Sequence, residues 1–459
     1  MPSEATHPVP PAHLRQPADL LIEARWVLPI GPRNVALRDH AVAVTDGHIS
    51  AVGPIAELNA RYAPRERIAR REHALLPGLI NAHTRASTLL LRGHAAHAPL
   101  ALGSDADSGH GAVRDAGSID PEHVRQSARM AIAEMLCAGI TTFATLDAHA
   151  GEVASIAAQV RVRAAIGMGV GVGAAGSATR GASELEHAER LWDQYKSNPW
   201  VCLYFAPAAA HILEDATLAH LRTITDELDA RIAMPVHQSS SEIAQSLARC
   251  GRRPLQRLQE LGLLRPGFVA LHLNHVEQSE LDLVARTGIS VVACPQSDLR
   301  LGNGYCPVSR LLARAVTPGL GSGSPESVGA LDILAEARTS ALLASGLQGQ
   351  SERTAESALL CATLGGAAAL GLSSVIGSLQ PGKLADLIAI DLSSISCQPA
   401  ELAADAVLFA ATREQVSDVW ISGRPQLAQG RLLCFDEQEL LGAARSWPAY
   451  VPRLAEPPR

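Results

Sequence analysis

Aromatic side chains are scarce in this chain, at 3% of 459 residues. A core of any size must therefore be filled by alanine, glycine, leucine and other small or aliphatic groups. No lysine- or arginine-rich run occurs, and the formal net charge is −7. That excludes the electrostatic footprint of a nucleic-acid-binding protein. No run of 18 apolar residues is present, so no transmembrane helix is expected. The eight cysteines (Cys137, Cys202, Cys250, Cys294, Cys306, Cys361, Cys397 and Cys434) form no C-x-x-C pair. With no basic and apolar leader pattern at the start, they read as free thiols of a reducing cytoplasm and not as a disulfide frame. The first 17 residues, polar and proline-rich, read as an N-terminal arm.

What is present is material for a large core, with 47% hydrophobic and 19% charged residues. Residues 18–75 alternate apolar and polar positions around turns such as Asp46-Gly47, the pattern of short half-buried strands. From residue 76 the rhythm changes to apolar strands alternating with longer amphipathic helices. Examples are "PEHVRQSARMAIAEMLCAG" followed by "ITTFATLD", and "PLQRLQELGLL" followed by "GFVALHLNH". Repeated units of this kind imply an α/β fold with parallel strands, and their number favours a closed (β/α)8 TIM-like barrel over 76–376. Strand patterns return over 377–435. Both chain ends are thus expected to build one small β-sandwich domain, 18–75 with 377–435, leaving a last helix and tail at 436–459.

The segments "LLPGLINAHT", "RRPLQRLQELGLL", "VVACPQSDLRLGNGYCPVSRLL" and "ATLGGAAALGLSSVIGSLQPGKLADL" resemble the amidohydrolase superfamily. The subgroup they match is the chlorohydrolase and methylthioadenosine/S-adenosylhomocysteine deaminase-like enzymes. The resemblance spans about residues 18–445 and implies a barrel with one zinc or iron ion. It implies a His-x-His pair on the first barrel strand, one His on the fifth and an Asp on the eighth as ligands. A Glu three residues after the fifth-strand His would shuttle protons, and a sixth-strand His would polarise the nucleophile or substrate. A metal can lower the pKa of bound water to about 7, and the resulting hydroxide would attack an amidine-like carbon of a purine- or triazine-like heterocycle.

Residue by residue, the chemistry is missing. The first strand keeps His83 but carries Arg85 in place of the second His, and a guanidinium cannot lose its proton to bind a metal. The fifth strand carries Pro235 at the ligand position and Gln238 at the Glu position. A slipped register would make His237 the ligand, with Ser240 in the Glu position. The sixth strand keeps His272, and Gly323 stands where the aspartate belongs. One ligand of four does not hold a divalent ion. Ala208 also stands where relatives carry a His. These losses point to a metal-free pseudoenzyme that binds a ligand or partners an active relative. His83, Gln238 and His272 would be vestigial, and Arg85, His237 and Asp147 would be the ligand-binding candidates.

Arg85 would grip a small carboxylate or phosphate if the barrel mouth is open, or pair internally with Asp147 if it is closed. Two alternatives remain. One is a metal-independent enzyme acting on an anionic small molecule around Arg85 and His272. The other is a zinc-dependent aminohydrolase whose ligands have moved to loop histidines His94, His97, His110 or His149. His272 and His275 are expected on opposite faces of their strand. Cys294 and Cys306 read as packing residues, and the glycines of 166–183 as a loop over the barrel's C-terminal face. The resemblance implies a homodimer, or a hetero-oligomer with an active relative.

Overall fold

The computed structural model describes residues 15–31, 35–92, 120–147, 149–170, 178–348 and 354–447. Eight parallel strands follow one another in chain order: Leu79–Thr84, Ile140–Asp147, Arg163–Val170, Val201–Pro207, Arg231–Val236, Phe268–His272, Ser290–Ala293 and Gly319–Leu320. Each pairs with the next. The ring closes through a parallel bridge between Thr84 and Gly323. The first, second and sixth strands are buried at every residue, as strands covered on both faces must be.

The barrel interior is narrow and lined mainly by small or aliphatic groups, among them Ile80, Ala82, Ala144, Ala165, Ala206, Ala233, Val269, Leu271, Val292 and Cys294. That is how a chain poor in aromatics fills a barrel. Tyr204 is the large exception, and its hydroxyl donates to the Thr145 carbonyl at 3.0 Å. Gly78, just before the first strand, is required by close approach. A Cβ there would fall 2.0 Å from Thr141 Oγ1.

The second sheet draws on both chain ends. Its order runs Arg431–Leu432, Arg424–Ala428, Val416–Ile421, Leu387–Asp391, Tyr62–Pro77, Gln16–Val27, Leu37–Thr45, His48–Pro54. The join between the two halves is the antiparallel pairing of Leu387–Asp391 with Tyr62–Pro77. The first strand starts at Gln16, two residues earlier than the alternation suggests, because Gln16 and Pro17 pair with Tyr62 and Ala63. The stretch between Asp391 and Val416 is helical in part, including Ala403–Asp405. The last helix is Glu437–Ser446, capped by Asp436, whose side chain accepts from the Gln438 and Glu439 amides. Among the described residues no helix is long and apolar enough to cross a membrane.

Candidate functional site

Ligands of such barrels bind at the C-terminal ends of the strands. At this end the first and eighth strands are sewn together. The Gly323 amide donates to the His83 carbonyl at 3.0 Å, and the Thr84 hydroxyl donates to the Gly323 carbonyl at 3.1 Å. Below them the Asn81 amide group donates to Ser322 Oγ (2.9 Å) and accepts from the Ser322 amide (3.0 Å). Gly323 has φ +69°, and a Cβ at that position would lie 2.8 Å from Ser297 Cβ and Oγ. The space an aspartate side chain would enter is therefore held by Ser297.

His83 is buried and its ring makes no hydrogen bond among the described residues; its Nδ1 is without a partner. Burial, then the neighbouring His272 and Arg85, hold it well below the usual imidazole range, so it is neutral. The His272 ring stands edge-on to it, with centroids 5.6 Å apart. Asp298, fully buried, accepts from His272 Nδ1 at 2.8 Å. That bond fixes the tautomer and leaves Nε2 with its lone pair. Cys294 lies against this pair: its sulfur and one nitrogen of each ring all fall within 4.8 Å of one another. Burial pushes the Cys294 thiol well above its ordinary range.

The sixth strand ends at His272, where the chain turns through two left-handed residues, His272 (φ 71°) and Leu273 (φ 58°). The opposite-face argument for His272 and His275 therefore stops applying. His272 enters the cluster, while the His275 ring lies against Gly304. His237 does not join it. Its Nε2 accepts from the Leu255 amide at 3.3 Å, and its Nδ1 lies 3.6 Å from Glu280. Burial lowers its pKa to about 4, against the opposing pull of Glu280. His237 is thus a packed structural residue, contrary to the ligand-binding expectation.

At the end of the fifth strand, Gln238 is buried and its side chain makes no hydrogen bond among the described residues. Its backbone amide and that of His237 donate to the two oxygens of Glu242 (2.7 and 3.0 Å). Ser239 caps the following helix, Ser240–Cys250, by accepting from the Glu242 amide. Glu242 is the carboxylate of this strand end, yet both its oxygens hold backbone, so it does not stand in for the missing proton shuttle. Pro235 follows Ala233 in the inward phase of the strand and offers no donor atom.

The expected Arg85–Asp147 ion pair is not formed. Asp147 accepts from the hydroxyls of Ser87 and Thr145 and from the Ser87 amide at 3.4 Å. Burial raises its pKa against these bonds and against the more distant Arg85. The hydroxyls come from the turn Ala86–Leu91 and from the strand itself, a local solution that does not use the guanidinium. Arg85 is half-buried; its carbonyl accepts from the Thr88 hydroxyl, and its guanidinium has no hydrogen bond or ion pair among the described residues. A second buried acid, Glu326, feels it through space and is raised by its own burial. Cys294, Asp298 and Glu326 were not singled out as site residues from sequence. The Cys294–Asp298 spacing, one helical turn across a strand–helix junction opened by Pro295, was the available signal. His94, His97, His110 and residues 171–177 lie outside the described residues; of the segment expected as a loop, 166–170 instead complete the third strand and 178–183 open the helix Ala178–Tyr195, and His149 is the N-cap of the helix Ala150–Val160.

The fold is an eight-stranded parallel α/β barrel with polar residues gathered at its C-terminal mouth, beside a sheet built from both termini. Residues 74–425 match the Amidohydrolase family, and the chain belongs to it. A 5-methylthioadenosine/S-adenosylhomocysteine deaminase of Teredinibacter turnerae is 32% identical over 430 residues, 94% of this chain and 97% of the relative. One from Syntrophobacter fumaroxidans is also 32% identical, over 96% of this chain and 99% of the relative. Among solved structures, an adenosine deaminase from Xanthomonas campestris with bound zinc superposes with a TM-score of 0.90 at 37% identity, covering 96% of this chain and 100% of that one. An atrazine chlorohydrolase from Arthrobacter aurescens complexed with zinc shares the fold at 20% identity (TM-score 0.82; 93% of this chain, 99% of that one). The four-ligand zinc centre that the family resemblance implies does not fit this chain. Of its positions only His83 offers a donor. Arg85 is cationic, Pro235 and Gly323 have no donor side chain, and Ser297 holds the space beside Gly323.

Proposed function

We propose that this chain does not perform the hydrolytic deamination for which its relatives are named. It acts as a binding protein for a small anionic or heterocyclic molecule at the barrel mouth, alone or as the partner subunit of an active relative. The carrying observation is the Gly323 position. It lacks the carboxylate, adopts φ +69°, and is tied by backbone bonds into the seam with His83 and Thr84. Support comes from Gln238, whose amide cannot move protons near neutral pH, and from Glu242, whose carboxylate is committed to backbone amides.

Arg85 is the binding group. A guanidinium without an internal acid presents a planar fork suited to carboxylate or phosphate. Calorimetric titration of the full chain with adenosine monophosphate, adenosine and inorganic phosphate tests this reading. Arg85→Ala is expected to weaken binding of the anionic ligand by about 10–100-fold, the worth of a charge-assisted hydrogen bond, and to leave the neutral nucleoside unaffected. Equal affinity of wild type and variant for every ligand would contradict the assignment. Light scattering of the purified chain, with and without an active relative, tests the subunit role.

A further inference from the structure

We infer that His83, His272 and Cys294 form a three-donor site for one divalent cation of borderline softness, zinc by preference. This goes beyond the proposed loss of hydrolysis, because it concerns a donor set different from the one the family resemblance implies. Three observations meet at one point. The sulfur and one nitrogen of each ring already lie within 4.8 Å of one another, all three residues being buried. Zinc bonds of about 2.0–2.1 Å to nitrogen and 2.3 Å to sulfur would require those donors to close by about an ångström, within the reach of side-chain rotation.

His272 is held as metal-bound imidazoles are held. The Asp298 carboxylate accepts a hydrogen bond from its Nδ1–H at 2.8 Å and leaves the Nε2 lone pair for a metal, the arrangement that orients and strengthens a metal-binding imidazole. Two buried polar atoms nearby, His83 Nδ1 and Asp298 Oδ2, have no partner among the described residues. An unsatisfied buried polar atom is costly.

The charges also close. A divalent ion, the Cys294 thiolate and the Asp298 carboxylate together are neutral, so the buried cluster carries no excess charge. Binding forms two nitrogen bonds and one sulfur bond and releases one proton, from the Cys294 thiol. His83 releases none, since burial, His272 and Arg85 already keep it neutral. Two imidazoles with one thiolate select zinc or copper over calcium or magnesium, which prefer oxygen.

The test is a cobalt(II) titration of the full chain after removal of metal, followed by absorbance, with zinc affinity measured by competition. The expected result is one equivalent bound, with a thiolate-to-cobalt charge-transfer band in the near ultraviolet and the visible bands of a tetrahedral ion. Cys294→Ser, a near-isosteric change, abolishes the charge-transfer band, with circular dichroism showing the fold intact. Asp298→Asn weakens zinc binding by about 10–100-fold, the range for removing such an outer partner. No band in the wild type, or a band unchanged in Cys294→Ser, would overturn the site. The latter outcome would place the ion on a different cysteine thiolate. None of these readouts depends on turnover: failure here leaves the proposed loss of hydrolysis standing, and zinc-dependent ammonia release would refute that loss while leaving the site in place.

Discussion

The two ends of one barrel follow opposite rules. At the N-terminal end of the third strand, Arg163 is buried and fully engaged. Its guanidinium donates to both oxygens of Asp386 (3.1 and 3.4 Å), to the Pro199 carbonyl and to Ser422 Oγ, and it lies over Trp200. Asp386 in turn accepts from the Ser422 amide at 2.8 Å. This ion pair ties the barrel to the second sheet with every strong donor used. At the C-terminal end, another arginine, Arg85, has no such partner among the described residues, and His83, Asp298, Ser324 and Glu326 each keep a buried atom without one. In an α/β barrel the first end serves stability and the second serves ligands. At the first end the ion pair is complete; at the second, Arg85, Pro235 and Gly323 stand where the family resemblance implies metal ligands.

The largest expected effect breaks the satisfied end. Asp386→Ala leaves Arg163 buried without a counter-charge and should cost about 3–5 kcal/mol, read as a fall in the denaturation midpoint or a loss of soluble protein. A next, smaller effect lies at the mouth. Ser87→Ala removes a hydroxyl donor from buried Asp147 and should cost about 1–3 kcal/mol in the same experiment. If both substitutions were neutral, the contrast in polar satisfaction would carry no energetic meaning.

Acidification sharpens the comparison. His237 is held at about 4 against an ordinary 6.5, chiefly by burial. A histidine depressed in this way binds its proton more readily in the unfolded chain. Its contribution is therefore complete above pH 6.5 and is lost as pH falls from 6.5 toward 4. The unfolding midpoint of the wild type should drop more steeply across that window than that of His237→Asn. Parallel profiles would show that His237 is not buried as neutral imidazole. The smallest effect belongs to Arg85→Ala, which breaks no ion pair among the described residues. Its stability should stay within about 0.5 kcal/mol of wild type, while anion binding falls as stated above.

Much of this was legible in the sequence, for physical reasons. The barrel follows from the change of hydrophobic rhythm at residue 76, and the second sheet from alternation at both ends. The proposed loss of the four-ligand centre rests on Arg85, Pro235 and Gly323, residues that offer no metal-binding atom whatever their geometry. What was not legible depends on backbone direction. His272 reaches His83 because the strand stops at it and turns left-handed, which no periodicity announces. His237 looks equivalent to His272 in sequence, yet its ring is claimed by the Leu255 amide and Glu280 from helices that follow. Arg85 and Asp147 are a plausible pair by position. Ser87 and Thr145, small residues with no charge to draw notice, satisfy Asp147 first. Cys294 passes for packing until its sulfur is seen beside two imidazoles.

The most direct test of the central claim is a single-turnover assay with the chain in excess over adenosine, methylthioadenosine or S-adenosylhomocysteine, with zinc added, following ammonia release. The account predicts no release above the enzyme-free rate, with or without zinc. Release that requires zinc and is abolished by a chelator would contradict it, and would mean that the barrel mouth still assembles a hydrolytic centre from residues other than those implied by the family resemblance.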